Sequence, residues 1–173
     1  MEQYKKYTSV ATVPVQKNRY TYLLVNILVM LVLPVLCIVS ENQIENAAFN
    51  WSLIGKWFIF WPVGIRLFMA GIKQSSNPEF TASRIFHLKS TESFVVIREL
   101  GFANISIGVM GILSVINNSW RPLAAITGGL FFGLAGLQHL FKKPDSQNEV
   151  IAMVGDLFIF ILMIFYLGFE LFT

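Results

Sequence analysis

Long apolar runs alternate with short polar connections along most of the chain. Five runs of 20 to 24 residues can be marked: Tyr20–Val39, Trp51–Ile72, Ser93–Ile116, Pro122–Phe141 and Val150–Phe172. Each is close to the roughly 20 residues with which a helix crosses the hydrocarbon core of a bilayer, and a helix satisfies its own backbone hydrogen bonds there. The pattern therefore predicts an all-α membrane protein, with one domain over residues 1–173 built as a bundle of five transmembrane helices.

The charged residues are few and are concentrated in the connections. Charged side chains make up 13% of the 173 residues, which is about half the share in a soluble domain. Only six of the 23 charged residues lie inside the apolar runs, so a soluble or disordered protein is excluded. The basic residues flank the runs and form no stripe with aromatic residues. We therefore expect the lipid bilayer, and no nucleic acid, as a partner.

The basic residues also predict an orientation. If the runs alternate in direction, nine of the 13 basic residues lie on the same side as the amino terminus. Cytoplasmic connections carry the excess of lysine and arginine in membrane proteins, so we expect the amino terminus in the cytoplasm and Thr173 outside. The first run is longer than the apolar part of a signal peptide, which predicts that it is retained as a span.

The connection from Lys73 to Glu92 is the longest one and has a pattern of its own. Asn77-Pro78-Glu79 is typical of a helix start, with a capping side chain, a proline in the first turn and an acid near the positive end of the helix dipole. Apolar and basic residues then alternate as in a short helix that lies in the membrane interface; they are Phe80, Arg84, Ile85, Phe86, His87, Leu88 and Lys89. A solvated linker is the alternative.

Polar side chains inside the apolar runs are the main candidates for function, because ionisable groups are costly in a membrane and mostly face the protein interior. Several of them fall in the cytoplasmic half of the predicted bundle, with Arg66 and Asp156 roughly 10 Å from the ends of their runs at the helical rise. The candidates for binding a ligand or a proton are Arg66, Arg98, Glu99, Asn104, His139 and Asp156. The alternative is that they are ion-paired or snorkelling residues that orient the helices. No helix carries an H-x-x-x-H or E-x-x-H pair, so we predict no metal site.

Small residues recur at helical spacing in two of the runs and predict close helix packing. One stripe contains Ala125, Gly129, Gly133 and Gly136 and continues to His139; the other contains Gly101, Asn104, Gly108 and Gly111. Asn104 is therefore expected to bond to a neighbouring helix, whereas Glu99 points roughly opposite to it at 100° per residue. Pro62 predicts a bend in the second run near Arg66.

The motif Glu99-Leu100-Gly101-Phe102-Ala103-Asn104, followed by Gly108 and Gly111, resembles that of a family of uncharacterised small bacterial integral membrane proteins. Gly136-Leu137-Gln138-His139 and Asp156 add to the resemblance, which covers roughly residues 72–165. That family is distantly similar to the DoxX-like four-helix membrane proteins. The resemblance implies a four-helix core plus a leading helix in a bacterial inner membrane, with Glu99, Asn104, His139 and Asp156 as the positions of interest. It also implies a link to quinone-dependent redox complexes.

Three functions are compatible with these features. The first is a non-enzymatic membrane protein whose polar cluster binds or passes a proton, an ion or a small molecule. The second is a membrane subunit of a quinone-linked oxidoreductase, and the third is a scaffold that assembles with itself or with a membrane complex through its glycine stripes. The chain lacks a P-loop, a G-x-S-x-G and a haem-attachment motif, so an enzyme acting alone is the less expected class. The sequence does not identify a cofactor.

Overall fold

A computed structural model describes residues 19–84, 90–144 and 147–172, and these residues contain only helices and their connections. Helix α1 runs through three consecutive segments, Arg19–Ile27, Leu28–Val32 and Leu33–Ile44, and α2 through Trp51–Phe58, Ile59–Arg66 and Leu67–Ser76. The remaining helices are α3 (Pro78–Arg84), α4 (Ser93–Leu113), α5 (Arg121–Lys142, preceded by a 3₁₀ turn over Asn118–Trp120) and α6 (Gln147–Phe172).

Five of these helices are long and apolar enough to cross a membrane, as the hydrophobic pattern predicts. Their ranges are Leu23–Ile44, Trp51–Ser76, Ser93–Leu113, Asn118–Lys142 and Gln147–Phe172. The bounds of the helices differ from those of the apolar runs in both directions. Helix α1 extends past Val39 to Ile44, and α4 ends at Leu113 instead of Ile116. The longer α1 brings the polar side chain of Glu41 into the bundle.

The helices run in alternating directions between two ends of the bundle. The end that holds the connection from α1 to α2 and the turn from α4 to α5 is called the Asn50 end. The end that holds the connection from α2 to α3 and the one between α5 and α6 is called the Ser76 end. The buried core lies between them and contains Ile59, Val63, Phe132, Ile159 and Met163.

Two segments within the long helices are π-helical. One is Leu28–Val32 in α1 and the other is Ile59–Arg66 in α2, and the two segments pack against each other. Pro62 lies inside the second segment. Proline has no N–H to donate, and the helix around Pro62 adopts this wider hydrogen-bonding pattern. The bend predicted near Arg66 stays a prediction. Segments of this type occur frequently at functional sites.

The two glycine stripes hold the bundle together as predicted. Gly108 and Gly111 on α4 lie against α2, where a Cβ atom built on Gly111 would be 2.6 Å from the backbone nitrogen of Gly64. Gly133 and Gly136 on α5 lie against Phe160 and Leu157 of α6. Gly101 and Gly129 are the remaining glycines of the two stripes, and their built Cβ atoms also meet the facing helix. The stripes therefore form two close helix pairs, α2 with α4 and α5 with α6.

The predicted helix start at Asn77-Pro78-Glu79 is confirmed. The Asn77 side chain accepts a hydrogen bond from the backbone N–H of Phe80 at 3.1 Å, and Pro78 is the first residue of α3. Thr81 and Ala82 are buried, so α3 packs against the rest of the bundle. Ile85, Phe86, His87, Leu88 and Lys89 lie outside the described residues, and the interfacial position of this helix stays a prediction.

Candidate functional site

A cluster of polar side chains joins three helices inside the bundle. Arg66 on α2 donates through Nη1 to Oδ1 of Asp156 on α6 at 3.2 Å. Its Nε donates to Oδ1 of Asn26 on α1, also at 3.2 Å. The guanidinium carbon lies 5.1 Å from the ring centroid of Phe132 on α5, a distance suited to a cation–π contact. These four side chains are called the Arg66 cluster.

The Arg66 cluster is buried near the middle of the helices. Asp156 is 5% exposed and Asn26 is 8% exposed. At a rise of about 1.5 Å per residue, Asp156 is about 14 Å from the first residue of α6. Arg66 is about 15 Å from the last residue of α2. These distances are longer than the roughly 10 Å measured from the ends of the apolar runs, because the two helices continue four and three residues beyond those runs.

Local sequence allows α1 to approach the cluster closely. Gly155 precedes Asp156, and a Cβ atom built on it would lie 3.0 Å from the Sδ atom of Met30 on α1. Met30 belongs to the π-helical segment of α1, and Arg66 ends the π-helical segment of α2. The glycine and the two irregular segments thus lie at the same level as the ion pair.

His139 lies between the cluster and the Ser76 end. It is half-buried on α5, three residues before the end of that helix at Lys142. Asp156 is within electrostatic range of both Arg66 and His139. The structure therefore brings Arg66, Asp156 and His139 into one region, together with Asn26, which the sequence analysis missed.

Arg98 and Glu99 do not join this region, although their depth along α4 made them candidates for it. Both side chains are exposed on α4, and neither forms an ion pair with a described residue. The reason is the helical phase of α4. Its buried face carries Asn104 and the glycines that pack on α2, and Glu99 points to the opposite side of the helix. Depth along the helix is therefore not sufficient to place a residue in the cluster.

Asn104 forms a separate polar contact between α4 and α2. Its Nδ2 donates to Oε1 of Gln74 at 2.7 Å, which confirms the predicted bond to a neighbouring helix. Two other atoms in this contact region, Oδ1 of Asn104 and Oγ of Ser75, are buried and have no hydrogen-bond partner. A buried polar atom without a partner destabilises the fold.

Replacing Ser75 with alanine is expected to raise the free energy of unfolding by about 1 kcal/mol, because the change removes a buried hydroxyl that has no partner. The measurement is thermal unfolding of the purified protein in detergent. Ser106→Ala is the matched control, since the Ser106 hydroxyl is exposed and donates to the Phe102 carbonyl at 2.9 Å. A lower melting temperature for Ser75→Ala than for the wild type would contradict the conclusion that the Ser75 hydroxyl is buried without a hydrogen-bond partner.

A second group of charged side chains lies at the Asn50 end. The ammonium group of Lys56 contacts Oε2 of Glu41 at 2.6 Å, and Nε1 of Trp57 donates to the same oxygen at 2.8 Å. Glu41 and Lys56 line a pocket of about 360 Å³ together with Arg121. Glu41 follows the end of the first apolar run at Val39, and its partners are 15 and 16 residues further along the chain, so the hydrophobic pattern does not predict this pocket.

No group of three histidine, cysteine, aspartate or glutamate side chains in the described residues is placed to hold a metal ion. The hydrogen-bond partner of Asp156 is the Arg66 guanidinium, which also bonds to the Asn26 amide, so no second anionic ligand lies beside the carboxylate among the described residues. The carboxylate and the imidazole can each hold a proton, and the guanidinium is a cation of the kind that pairs with anionic groups.

Comparison with known families gives a match over almost the whole described chain. A family model described as a family of unknown function (DUF6790) matches residues 20–172. No curated protein and no solved structure matches. The family match agrees with the resemblance to an uncharacterised family, whereas no similarity to DoxX-like proteins is shown. The quinone-linked function implied by that resemblance stays a prediction.

Proposed function

We propose that this chain, which belongs to the family of unknown function DUF6790, is a non-enzymatic integral membrane protein whose Arg66 cluster binds or passes a proton together with a small anion. The location proposed for it is a bacterial inner membrane, with the amino terminus in the cytoplasm. The observation that carries the proposal is the contact of 3.2 Å between Arg66 and Asp156 in the middle of the bundle.

Burying an ion pair at this depth costs free energy, and a structural role alone does not explain that cost. Charged groups lose their hydration in the apolar interior, and the mutual attraction of the pair offsets that loss only in part. Intramembrane ionisable residues accordingly mark pathways for protons and ions. Of the two partners only Asp156 can change its charge, because the arginine side chain stays protonated. The proton-binding group of the pair is therefore the carboxylate.

Protonation of Asp156 removes the negative charge that balances the Arg66 guanidinium. The neutral acid no longer balances the guanidinium, whose remaining contacts are the Asn26 amide and the Phe132 ring. A buried cation without a counter-ion is strongly unfavourable. A small anion that enters beside Arg66 restores the balance. Binding of a proton and binding of an anion are for this reason coupled at this site.

His139 is the group through which the proton reaches Asp156 from the Ser76 end. It lies closer to that end than Asp156 does, and it is half-buried. A neutral imidazole has one ring nitrogen that accepts a proton and one that donates, so His139 can take a proton from water and pass it toward the carboxylate. Its electrostatic interaction with Asp156 fits this role.

Proton flux in liposomes tests the proposal. Vesicles that contain the wild-type protein are expected to dissipate a pH gradient faster in chloride than in gluconate, as followed with an internal pH-sensitive dye. Asp156→Asn, which keeps the shape of the side chain and removes the titratable oxygen, is expected to reduce the flux to that of protein-free vesicles. His139→Ala is expected to reduce it as well. Glu99→Gln is the control, because Glu99 is exposed and lies outside the cluster.

Two experimental outcomes would contradict the proposed function and favour one of the other two functions. Equal flux for the wild type, Asp156→Asn and His139→Ala would leave the ion pair with a structural role, as expected for a scaffold subunit. A quinone that copurifies with the wild-type protein, and is lost in His139→Ala, would instead favour the subunit of a quinone-linked oxidoreductase.

A further inference from the structure

The pocket at the Asn50 end contains a buried cation that lacks a counter-ion. Arg121 is 8% exposed, and its Nε donates to the backbone carbonyl of Ser114 at 3.3 Å. The described residues contain two ion pairs, Lys56 with Glu41 and Arg66 with Asp156, and Arg121 belongs to neither. It is nevertheless one of the residues that line the pocket of about 360 Å³.

The acidic residues near Arg121 do not neutralise it. Glu41 and Glu170 are within electrostatic range of the guanidinium, but neither lies within the 4.0 Å of an ion pair. Glu41 is already engaged by the Lys56 ammonium and the Trp57 indole. Glu170 is exposed and does not line the pocket. The charges on the pocket wall therefore sum to one positive charge, and it belongs to Arg121.

Three further polar side chains of the wall carry hydrogen-bond donors, namely Asn50, Ser52 and Asn118. The Glu41 carboxylate can only accept, and its Oε2 already does so from Lys56 and Trp57. The Asn50 side-chain oxygen accepts from the backbone N–H of Leu53 at 2.9 Å, which leaves its NH₂ group as the part free to bind a ligand. A pocket of several hundred Å³ with a few convergent polar groups has the size of a small-molecule site.

We infer that this pocket binds an anionic phosphate or carboxylate group, with the Arg121 guanidinium as its counter-ion. Arginine recognises such groups through two parallel hydrogen bonds. The phosphate of a lipid headgroup and a free anion in solution share this chemistry. The site is separate from the Arg66 cluster, because its residues lie at the Asn50 end and include none of that cluster. The inference therefore stands independently of the proposed function.

Two probes test the pocket with the full-length protein. Inorganic phosphate is titrated into the protein in a non-ionic detergent while the melting temperature is measured, and native mass spectrometry counts phosphatidylglycerol molecules retained from nanodiscs. The wild type is expected to be stabilised by phosphate, to retain one phosphatidylglycerol, or both. Stabilisation by phosphate alone indicates a soluble anion, whereas retention of the lipid alone indicates a headgroup.

Arg121→Gln is expected to weaken the response at least tenfold, as for the loss of a charge-assisted hydrogen bond. Arg98→Gln is the control, because Arg98 is exposed on α4 and outside the pocket. If Arg121→Gln does not fold, Asn118→Asp tests the same inference. The added carboxylate on the pocket wall is expected to raise the melting temperature without ligand and to abolish the effect of phosphate. A wild type that responds to neither probe, or an Arg121→Gln protein that responds as the wild type does, overturns the inference.

Discussion

Replacement of Asp156 with leucine is expected to lower the free energy of unfolding by about 3–5 kcal/mol, the range measured when one partner of a buried ion pair is removed. The carboxylate is the only acid within 4.0 Å of Arg66 among the described residues. Its loss leaves the guanidinium with the Asn26 amide and the Phe132 ring, which carry no negative charge. Thermal unfolding of the purified protein in detergent measures the effect.

The double variant Arg66→Met with Asp156→Leu separates stability from function. Both charges are then absent, and replacing a buried ion pair with apolar residues of similar volume is often neutral or stabilising. We expect most of the lost stability to return while proton flux stays at the level of empty vesicles. A double variant as unstable as Asp156→Leu would show that packing around the aspartate, and not an unbalanced charge, causes the loss.

Gly111→Ala is expected to lower the free energy of unfolding by about 1–3 kcal/mol through overpacking. The new methyl group would lie 2.6 Å from the Gly64 nitrogen and 2.7 Å from its Cα. Both are backbone atoms that cannot rotate away, so α4 must move from α2 to admit the side chain. Circular dichroism during heating in detergent measures the change.

Gly168→Ala is the matched control for this prediction and has the opposite expected sign. Gly168 is also inside a long helix, α6, but no heavy atom lies within 4 Å of a Cβ built there. Alanine is then expected to stabilise the helix by up to about 1 kcal/mol. If the two variants changed the melting temperature equally, close contact between α2 and α4 would not be the cause.

The long helices could be predicted because their apolar residues are consecutive, but their ends could not be placed by hydropathy. Ser40 to Ile44 includes the polar residues Glu41 and Asn42, and it still continues α1. Glu41 is stabilised there by Lys56 and Trp57, which are 15 and 16 residues further along the chain. The hydropathy around Glu41 contains no information about partners so far along the chain. The pocket beside Arg121 was missed for the same reason.

The Arg66 cluster was predictable in part. Arg66 and Asp156 could be identified because each is an isolated charge in an apolar run, and both lie in the cluster. Asn26 carries no charge and its partner is 40 residues away, so nothing in the first run marked it. Glu99 satisfied the same criterion of depth and yet is exposed. Its position opposite Asn104 followed from the helical repeat, which shows that the angle around the helix carries as much information as the depth.

The π-helical segment of α1 has a consequence for the spacing of its residues. Besides Val29, the described buried positions of α1 are Asn26, Met30, Pro34 and Ile38, which recur every four residues. An α-helix repeats every 3.6 residues and would rotate this series of four by about 120° over its length. The wider turn of Leu28–Val32 takes up the extra residues and keeps the series on one side. Loss of one residue from this segment would turn Asn26 by about 100° away from Arg66. A single-residue gap at this place in a related chain would therefore mark a protein in which α1 no longer supplies the amide.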